Sequence, residues 1–369
     1  MLRRSLITPT VFLAIVALSG CAAEPVAGPP TSASAAPTEP AAVTGVYTCD
    51  DVATLDTLAG ALAPADGSRP TPVAATQPGM ALTEYAVPAL GGLSCSWRVG
   101  TAAGSPLEYP ADSDWAYLSV KIVPGGADSW APYALGDGPA DTLIDIGGIE
   151  SASGCGDPGC FISAPVGDAW VEIAMTTIFF GIGEGHFGGM TSDAILAQME
   201  PLAASVFTAL TDAEPRQLVW PSVDLVEREP ACTGALKSQG IAMALGVDSI
   251  EYEVFDSSST GPIWFGGFVA KRAGLFTCSA HAGGGAGASI IVGYDLAGIV
   301  DTMVSEPDTS TALQQIVLEG AVDGERAVQI CTDTGSYCTV IFSLGQSAYQ
   351  VDSQSDAVAV AEAIIAQAR

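Results

Sequence analysis

Positive charge is scarce in this chain. Of its 369 residues, 12 are Lys or Arg against 41 Asp or Glu, and the formal net charge is −29. A surface this acidic repels phosphate backbones and anionic lipid headgroups. We therefore expect no nucleic-acid partner, and no contact with a membrane surface through the folded body itself. The acidity is expected to serve mainly to keep the exported protein soluble, and the alternative is a specific cationic ligand.

Histidine is scarcer still, and catalytic motifs are missing. Of the two histidines, His186 lies among glycines and His281 borders the glycine-rich residues 283–287, whereas a Ser-His-Asp triad needs a histidine held by packing and by a third group. No Gly-x-Ser-x-Gly elbow occurs. The glycine-rich residues 283–287 would bind phosphate only if they led from a strand into a helix. Residues 289–292 predict a strand instead, so we expect a hairpin there, no catalytic residue and no cofactor.

The acidic and aromatic residues do not define a site by spacing. With 41 carboxylates, no glycosidase-like pair stands out. Three aromatic pairs are candidates to line a groove for a glycan or lipid, although packing on a strand face explains them more simply. They are Trp115/Tyr117, Trp130/Tyr133 and Trp264/Phe265.

The first 21 residues have the form of an export signal. Arg3 and Arg4 precede the apolar residues 11–18, a run too short for a membrane span of roughly 20 residues. Leu18-Ser19-Gly20-Cys21 then resembles the lipobox of bacterial lipoproteins. The resemblance implies removal of residues 1–20 and a diacylglyceryl group on the Cys21 thiol. The alternative is a plain signal peptide, and the partial twin-arginine match leaves the export route open.

Residues 21–44 predict a disordered tether. They are rich in Ala, Pro, Ser and Thr without periodic apolar positions, so they bury too little apolar surface to offset the entropy of ordering. In an extended polyproline conformation, at roughly 3.1 Å per residue, the tether would reach on the order of 70 Å. We expect the folded body to stand off the membrane, on the extracytoplasmic side.

The eight cysteines that follow Cys21 predict four disulfide bonds. Two pairs are each 46 residues apart, and each half of the chain then has one close pair. Zinc is disfavoured because the close pairs have unequal spacing and histidines are few. If both halves pair identically, three pairings are possible. The one we favour joins Cys49–Cys95, Cys155–Cys160, Cys232–Cys278 and Cys331–Cys338.

The cysteine spacing is part of a repeat. Short similar segments recur in the same order in both halves, which predicts a tandem duplication. They are residues 92–96 with 274–279, 167–173 with 345–351, and 192–194 with 355–357. The predicted division is a signal peptide at 1–20, a lipidated tether at 21–44, and two homologous domains at 45–212 and 213–369.

Each half predicts an α+β domain, with an antiparallel sheet and helices packed on it. The first half has predicted helices at 50–62 and 192–210, a loop to about residue 91, and strands at 93–99, 115–123, 160–164 and 169–178. The second half has predicted helices at 231–245, 296–304 and 356–368. Its predicted strands are 263–270, 275–281, 289–294, 327–331, 339–344 and 349–352.

A lipobox, a tether, an early cysteine in a helix and a Cys95-Ser96-Trp97 strand are together similar to uncharacterised actinobacterial envelope lipoproteins. The arrangement also resembles the disulfide-bonded sensor domains of mycobacterial receptor kinases, although Cys278-Ser279-Ala280 lacks the tryptophan. Neither resemblance transfers a catalytic residue. We expect a non-enzymatic, membrane-anchored protein that binds or senses an envelope ligand or protein partner, in a cleft between its domains. The alternatives are an envelope enzyme acting on glycan or lipid, and a structural partner of a membrane complex.

Overall fold

A computed structural model describes most of the chain beyond residue 42. The described residues are 43–63, 67, 69–73, 81–100, 115–132, 142–156, 159–177, 186–211, 216–219, 231–255, 264–282, 287–305, 313–331, 338–353 and 356–369. Residues 42–369 form one compact unit. The predicted signal peptide, Cys21 and the tether up to residue 42 lie outside the described residues.

The first half of the unit is built on a seven-stranded antiparallel sheet of strand order β2-β3-β4-β8-β7-β6-β5. Its elements are β1 (Val43–Val46), α1 (Cys49–Val52), α2 (Leu55–Leu62), β2 (Thr71–Val73), α3 (Ala81–Ala89), β3 (Leu93–Val99), β4 (Ala116–Val123), a 3₁₀ turn (Ala127–Ser129), β5 (Thr142–Ile146), β6 (Ile149–Gly156), β7 (Gly159–Val166), β8 (Ala169–Thr177) and α4 (Ser192–Thr211).

The second half has a sheet with the same order of strands, β10-β11-β12-β16-β15-β14-β13. Its elements are β9 (Arg216–Val219), α5 (Cys232–Ala235), α6 (Ser238–Ala244), β10 (Glu251–Phe255), α7 (Phe265–Arg272), β11 (Leu275–His281), β12 (Gly287–Gly293), α8 (Ala297–Ser305), β13 (Gln314–Ile316), β14 (Ala327–Cys331), β15 (Cys338–Leu344), β16 (Ser347–Ser353) and α9 (Ala357–Ala368). The predicted α+β class with antiparallel sheets is confirmed. In addition, β1 pairs with β9 in parallel, so a strand begins at Val43, within the last two residues of the tether predicted at 21–44.

Three apolar cores arrange the two sheets and their helices in layers. The first core lies between one face of the first sheet and α1, α2 and α4. The second lies between one face of the second sheet and α5, α6 and α9. The third is shared by both halves, because α3, α7 and α8 pack between the two remaining sheet faces. Both faces of each sheet are therefore covered over much of their area.

The longest described helix owes its apolar character to the first core. By length and composition α4 passes as a membrane span, with 20 residues and a mean hydropathy of 1.3. Its large apolar residues recur at helical spacing and are buried against the sheet and α2. These buried residues are Ile195, Met199, Leu202, Ala203, Val206 and Phe207. Packing within the protein thus accounts for the composition of α4.

The sequence-based prediction was wrong at two of the central helices. A loop was expected where α3 lies, and a strand at 263–270 where α7 lies. In α7, five consecutive residues starting at Phe265 are buried, because the helix is enclosed by both halves. A short continuous apolar run has the same pattern in a buried strand and in a buried helix. The amphipathic periodicity that identifies surface helices is therefore missing here.

Trp170 on β8 joins the two halves across the third core. Its side chain is fully buried, and its ring meets Phe265 edge-on at 5.7 Å and Phe268 at 4.9 Å between ring centroids. The indole Nε1 donates a hydrogen bond to the Ser163 hydroxyl at 2.8 Å. The Arg272 guanidinium at the end of α7 also donates to the Gly125 carbonyl oxygen at 2.8 Å. Helix α7 of the second half is thus fixed to the sheet of the first.

Helix α3 of the first half makes the corresponding contact with the sheet of the second half. The backbone N–H of Leu82, in the first turn of α3, lies 3.4 Å from the Gln350 side-chain oxygen on β16. Gln350 is fully buried and donates to the Asp352 carboxylate at 2.9 Å, and the Thr339 hydroxyl donates to the same carboxylate at 2.6 Å. Burial raises the pKa of Asp352, although both hydrogen bonds act to lower it. Each half therefore contributes a helix that packs on the other half's sheet.

Replacing Trp170 should destabilise the whole unit, because its ring belongs to the core that both halves share. We expect Trp170→Ala to lower the free energy of unfolding by about 3–5 kcal/mol, as for other buried aromatic truncations. The control is Trp264→Ala, at a side chain 44% exposed, with an expected loss below about 1 kcal/mol. Urea titration followed by circular dichroism measures both, and equal losses would contradict a central role for Trp170.

Candidate functional site: a cavity beside the loop at residues 317–326

The four predicted disulfide bonds are present. Two of the bonds are long-range. Cys49–Cys95 joins the start of α1 to β3, and Cys232–Cys278 joins the start of α5 to β11. The two short-range bonds, Cys155–Cys160 and Cys331–Cys338, join residues directly opposite in antiparallel strand pairs, with Cα atoms 4.0 and 4.1 Å apart. The turns that connect these strands lie outside the described residues. So does Cys21, and its lipidation stays a prediction.

Both histidines have contacts typical of structural residues. The His186 ring lies within hydrogen-bonding distance of the Leu62 carbonyl oxygen at the end of α2 and meets Phe187 edge-on. The exposed His281 ring lies 3.8 Å from the Glu253 carboxylate. Within the described ranges, no group of three or more His, Cys, Asp or Glu side chains is placed to hold a metal ion. β11 and β12 are antiparallel neighbours, as the hairpin prediction requires.

Among the described members of the three aromatic pairs, the contacts are those of packing. Trp115 and Phe265 are buried in packed regions, and the Trp130 indole donates to the Ser163 hydroxyl at 3.2 Å. Tyr133 lies outside the described residues. The expected cleft between the halves is also filled where the structure describes it, because α3, α7 and α8 occupy that space. The described residues place a concave site elsewhere.

The two halves differ in the connection between corresponding edge strands. In the first half β5 and β6 form a tight hairpin, in which Ile146 pairs with Ile149 across Gly147 and Gly148. Both glycines have positive φ angles, of 63° and 88°, as such a turn requires. In the second half Ile316 on β13 pairs with Ala327 on β14, and ten residues, 317–326, connect them. An ordered connection longer than the hairpin needs is a common location for function.

Glu325 holds this loop in place. Its side chain is only 8% exposed, and its carboxylate accepts hydrogen bonds from the backbone N–H groups of Val322 at 3.0 Å and Gly345 at 3.1 Å. The Arg369 guanidinium donates to the same carboxylate at 2.6 Å. One side chain thus connects the loop, the turn between β15 and β16, and the last residue after α9. The Glu319 N–H adds a hydrogen bond to the Glu362 carboxylate on α9, at 2.9 Å.

The loop borders a partly open cavity of about 250 Å³. Four buried apolar side chains contribute to its floor, Leu318, Ala327, Phe342 and Ile365. At the rim, Val317 is 93% exposed and Val322 is 50% exposed. Pockets for drug-sized ligands measure roughly 300–1,000 Å³. This cavity is smaller, so it suits one apolar group of a larger ligand, such as a side chain or the end of an acyl chain.

The pKa of Glu325 reflects this hydrogen bonding. Burial alone would raise it, but the hydrogen bonds from Val322, Gly345 and Arg369 and the charge of Arg369 outweigh burial. The pKa of the carboxyl therefore lies below its ordinary value. Ionised Glu325 stabilises the fold above the carboxyl pKa of the unfolded chain, about 4.3. That contribution is lost as the pH falls through the lower pKa of the folded state.

No motif in the sequence predicted this site. Two sequence features could have indicated it. Gly320 and Gly324, which have positive φ angles in the structure, lie at 317–326, and the aliphatic residues of this stretch stand between charged ones. Comparison with protein-family models, with curated proteins and with solved structures finds no match to this chain. Only the geometry of the cavity therefore bears on its function.

Neutralising Glu325 should loosen the loop in a pH-dependent way. At pH 7 we expect Glu325→Gln to lower the free energy of unfolding by about 1.5–3 kcal/mol, the usual contribution of hydrogen bonds to a charged group. The difference from the wild type should shrink as the pH falls below about 4.3, because the unfolded chain then takes up a proton that the folded Glu325 carboxylate binds only at a lower pH. Urea titrations between pH 3 and pH 7 measure it.

The control for this change is Glu319→Gln in the same loop. The Glu319 side chain is exposed, and we expect its replacement to change the free energy of unfolding by no more than about 0.5 kcal/mol. Hydrogen exchange at the Val322 and Gly345 amides should accelerate in Glu325→Gln only. A pH-independent loss in Glu325→Gln would contradict a role for the ionised carboxylate.

Proposed function

We propose that this protein is a cell-envelope lipoprotein, held on the extracytoplasmic side of the cell membrane by a diacylglyceryl group on Cys21. We propose further that it is not an enzyme and that it binds or senses an envelope ligand. The resemblance of Leu18-Ser19-Gly20-Cys21 to a lipobox supports the anchor. The four disulfide bonds support an oxidising compartment, where such bonds persist.

We infer that the two halves are homologous domains produced by tandem duplication, at 45–212 and 213–369. The identical strand order of the two sheets supports this inference, since many orders are compatible with seven antiparallel strands. The long-range disulfides support it as well, because each spans 46 residues and ends at corresponding elements. The longer connection at 317–326 would then be an elaboration of the second copy alone.

The observation that carries the binding proposal is the cavity at this elaborated loop. A valine that is 93% exposed stands beside an apolar floor, although water makes such exposure unfavourable. The loop is also held by three hydrogen bonds to one carboxylate. An ordered loop that keeps a cavity with an apolar floor open to solvent is organised for contact with an apolar group.

The anchor is tested by replacing the cysteine. Expressed in a bacterial host with its signal peptide, the wild-type chain should be found in the membrane fraction, and its mass should include the diacylglyceryl group. Cys21→Ser should lose both properties. Ser19→Ala is the matched control, because it keeps a small residue before the cysteine, and it should remain lipidated. A wild-type chain exported without added lipid mass would contradict the anchor.

The cavity is tested with a small apolar probe. Apolar cavities of about 150 Å³ bind benzene, so benzene should shift the methyl NMR signals of Leu318 and Ile365 in the full chain carrying Cys21→Ser. The exposed Leu143 on β5, in the half with the tight hairpin, serves as the internal control and should not shift. Ala327→Leu, which fills the floor, should abolish the effect. Equal shifts at all three side chains would contradict a specific cavity.

A further inference from the structure

The charges around the cavity are unevenly distributed. Asp323 lines the cavity, Glu319 lies in the same loop, and Glu362 on α9 accepts a hydrogen bond from that loop. The charges of Glu325 and Arg369 offset each other in their ion pair. Arg326 is then the one cation left among these residues of the described chain. The surroundings of the cavity therefore carry net negative charge.

The charge distribution distinguishes between possible occupants. A second copy of this chain would bring the same acidic surface and a total charge of −29 against it, and like charges in contact disfavour association. An anionic lipid headgroup is disfavoured for the same reason. A partner with positive charges beside one apolar group would meet carboxylates at the rim and an apolar floor below.

The shape of the site limits how such a partner binds. Val317 is exposed at the rim of the cavity. A partner with a flat surface would rest on this rim and leave the cavity below it empty. A protruding side chain can enter the cavity and contact Leu318 and Ile365 on the floor, while its neighbours along the chain lie near Asp323 in the lining. Glu319, exposed and next to Leu318 in the loop, adds a second carboxylate outside the lining. Buried apolar anchors within a polar rim are the usual organisation of protein–protein contacts.

We propose that this cavity and its acidic rim form a docking site for a positively charged segment of a partner protein, which inserts one apolar side chain. The proposal rests on the proposed binding function and names the partner's chemistry. Opposite charges at the rim accelerate association and make it sensitive to salt, whereas the apolar side chain determines the position of the segment.

The test compares the binding of three short synthetic peptides of equal length to the full chain carrying Cys21→Ser. Binding is measured from the methyl NMR signals of Leu318 and Ile365. The first has lysines on both sides of one leucine, the second has serine in place of that leucine, and the third has glutamates in place of the lysines. We expect the first to bind at least about tenfold more tightly than either of the others, and to weaken severalfold between low and high salt.

Variants of the protein locate the charges involved. Glu319→Gln combined with Asp323→Asn should weaken the binding of the lysine peptide about tenfold, the expected scale for two charge contacts at a rim. Glu251→Gln combined with Glu253→Gln is the matched control, since β10 is at the opposite edge of the same sheet from β13. This control should not affect the peptide.

The remaining outcomes each overturn the proposal. If benzene binds but the lysine and glutamate peptides bind equally, the docking proposal fails and the binding function stands. If neither benzene nor any peptide binds, the binding function fails too. Self-association that broadens the Val317 and Val322 signals would identify a second copy as the occupant, and preferential binding of anionic lipid vesicles would identify a membrane.

Discussion

The architecture depends on burying two sheet faces at once. An antiparallel sheet can leave one face to water, but here α3, α7 and α8 cover the second face of both sheets in one shared core. Trp170 is central to that core, because its ring packs on two phenylalanines from the other half while its N–H is satisfied by Ser163. Leu82 and Gln350 provide the reciprocal contact. Neither half could lose this contact without exposing apolar surface, so the two sheets stabilise each other.

The two halves share one strand order and differ in the connection between their edge strands. Both have the same strand order and the same disulfide pattern, and the central helices pack in both directions across the interface. At the edge strands the equivalence ends, because a two-residue turn in the first half corresponds to ten residues in the second. The longer loop could collapse onto the sheet, yet Glu325 holds it open through contacts with three separate parts of the chain. The proposed function follows from this difference.

Much of the fold was predictable from local patterns. The cysteine spacing predicted all four disulfide bonds, and strand-like runs of apolar and β-branched residues predicted strands near the sheet centres, such as β4, β8 and β15. The short edge strands β2, β5, β10 and β13 were missed, since three to five residues give too little periodicity to recognise. Helix α7 was missed for the opposite reason, because burial of five consecutive residues removed the polar face that identifies a helix. Helix α3 was taken for part of a Pro- and Gly-rich loop, and it contains Pro88 itself.

The sequence by itself determined the charge of the protein, the equal cysteine spacing and the α+β class, because composition and residue spacing along the chain record them directly. It also supplied the predicted anchor at Cys21. Only the tertiary structure decided that the space between the halves is filled, and that a cavity lies at 317–326. The cavity brings Val317 and Leu318 together with Ile365, and its loop is held by Arg369, more than 40 residues along the chain from Glu325. Contacts between such distant residues depend on how the sheets and helices pack, which no local pattern in the sequence records.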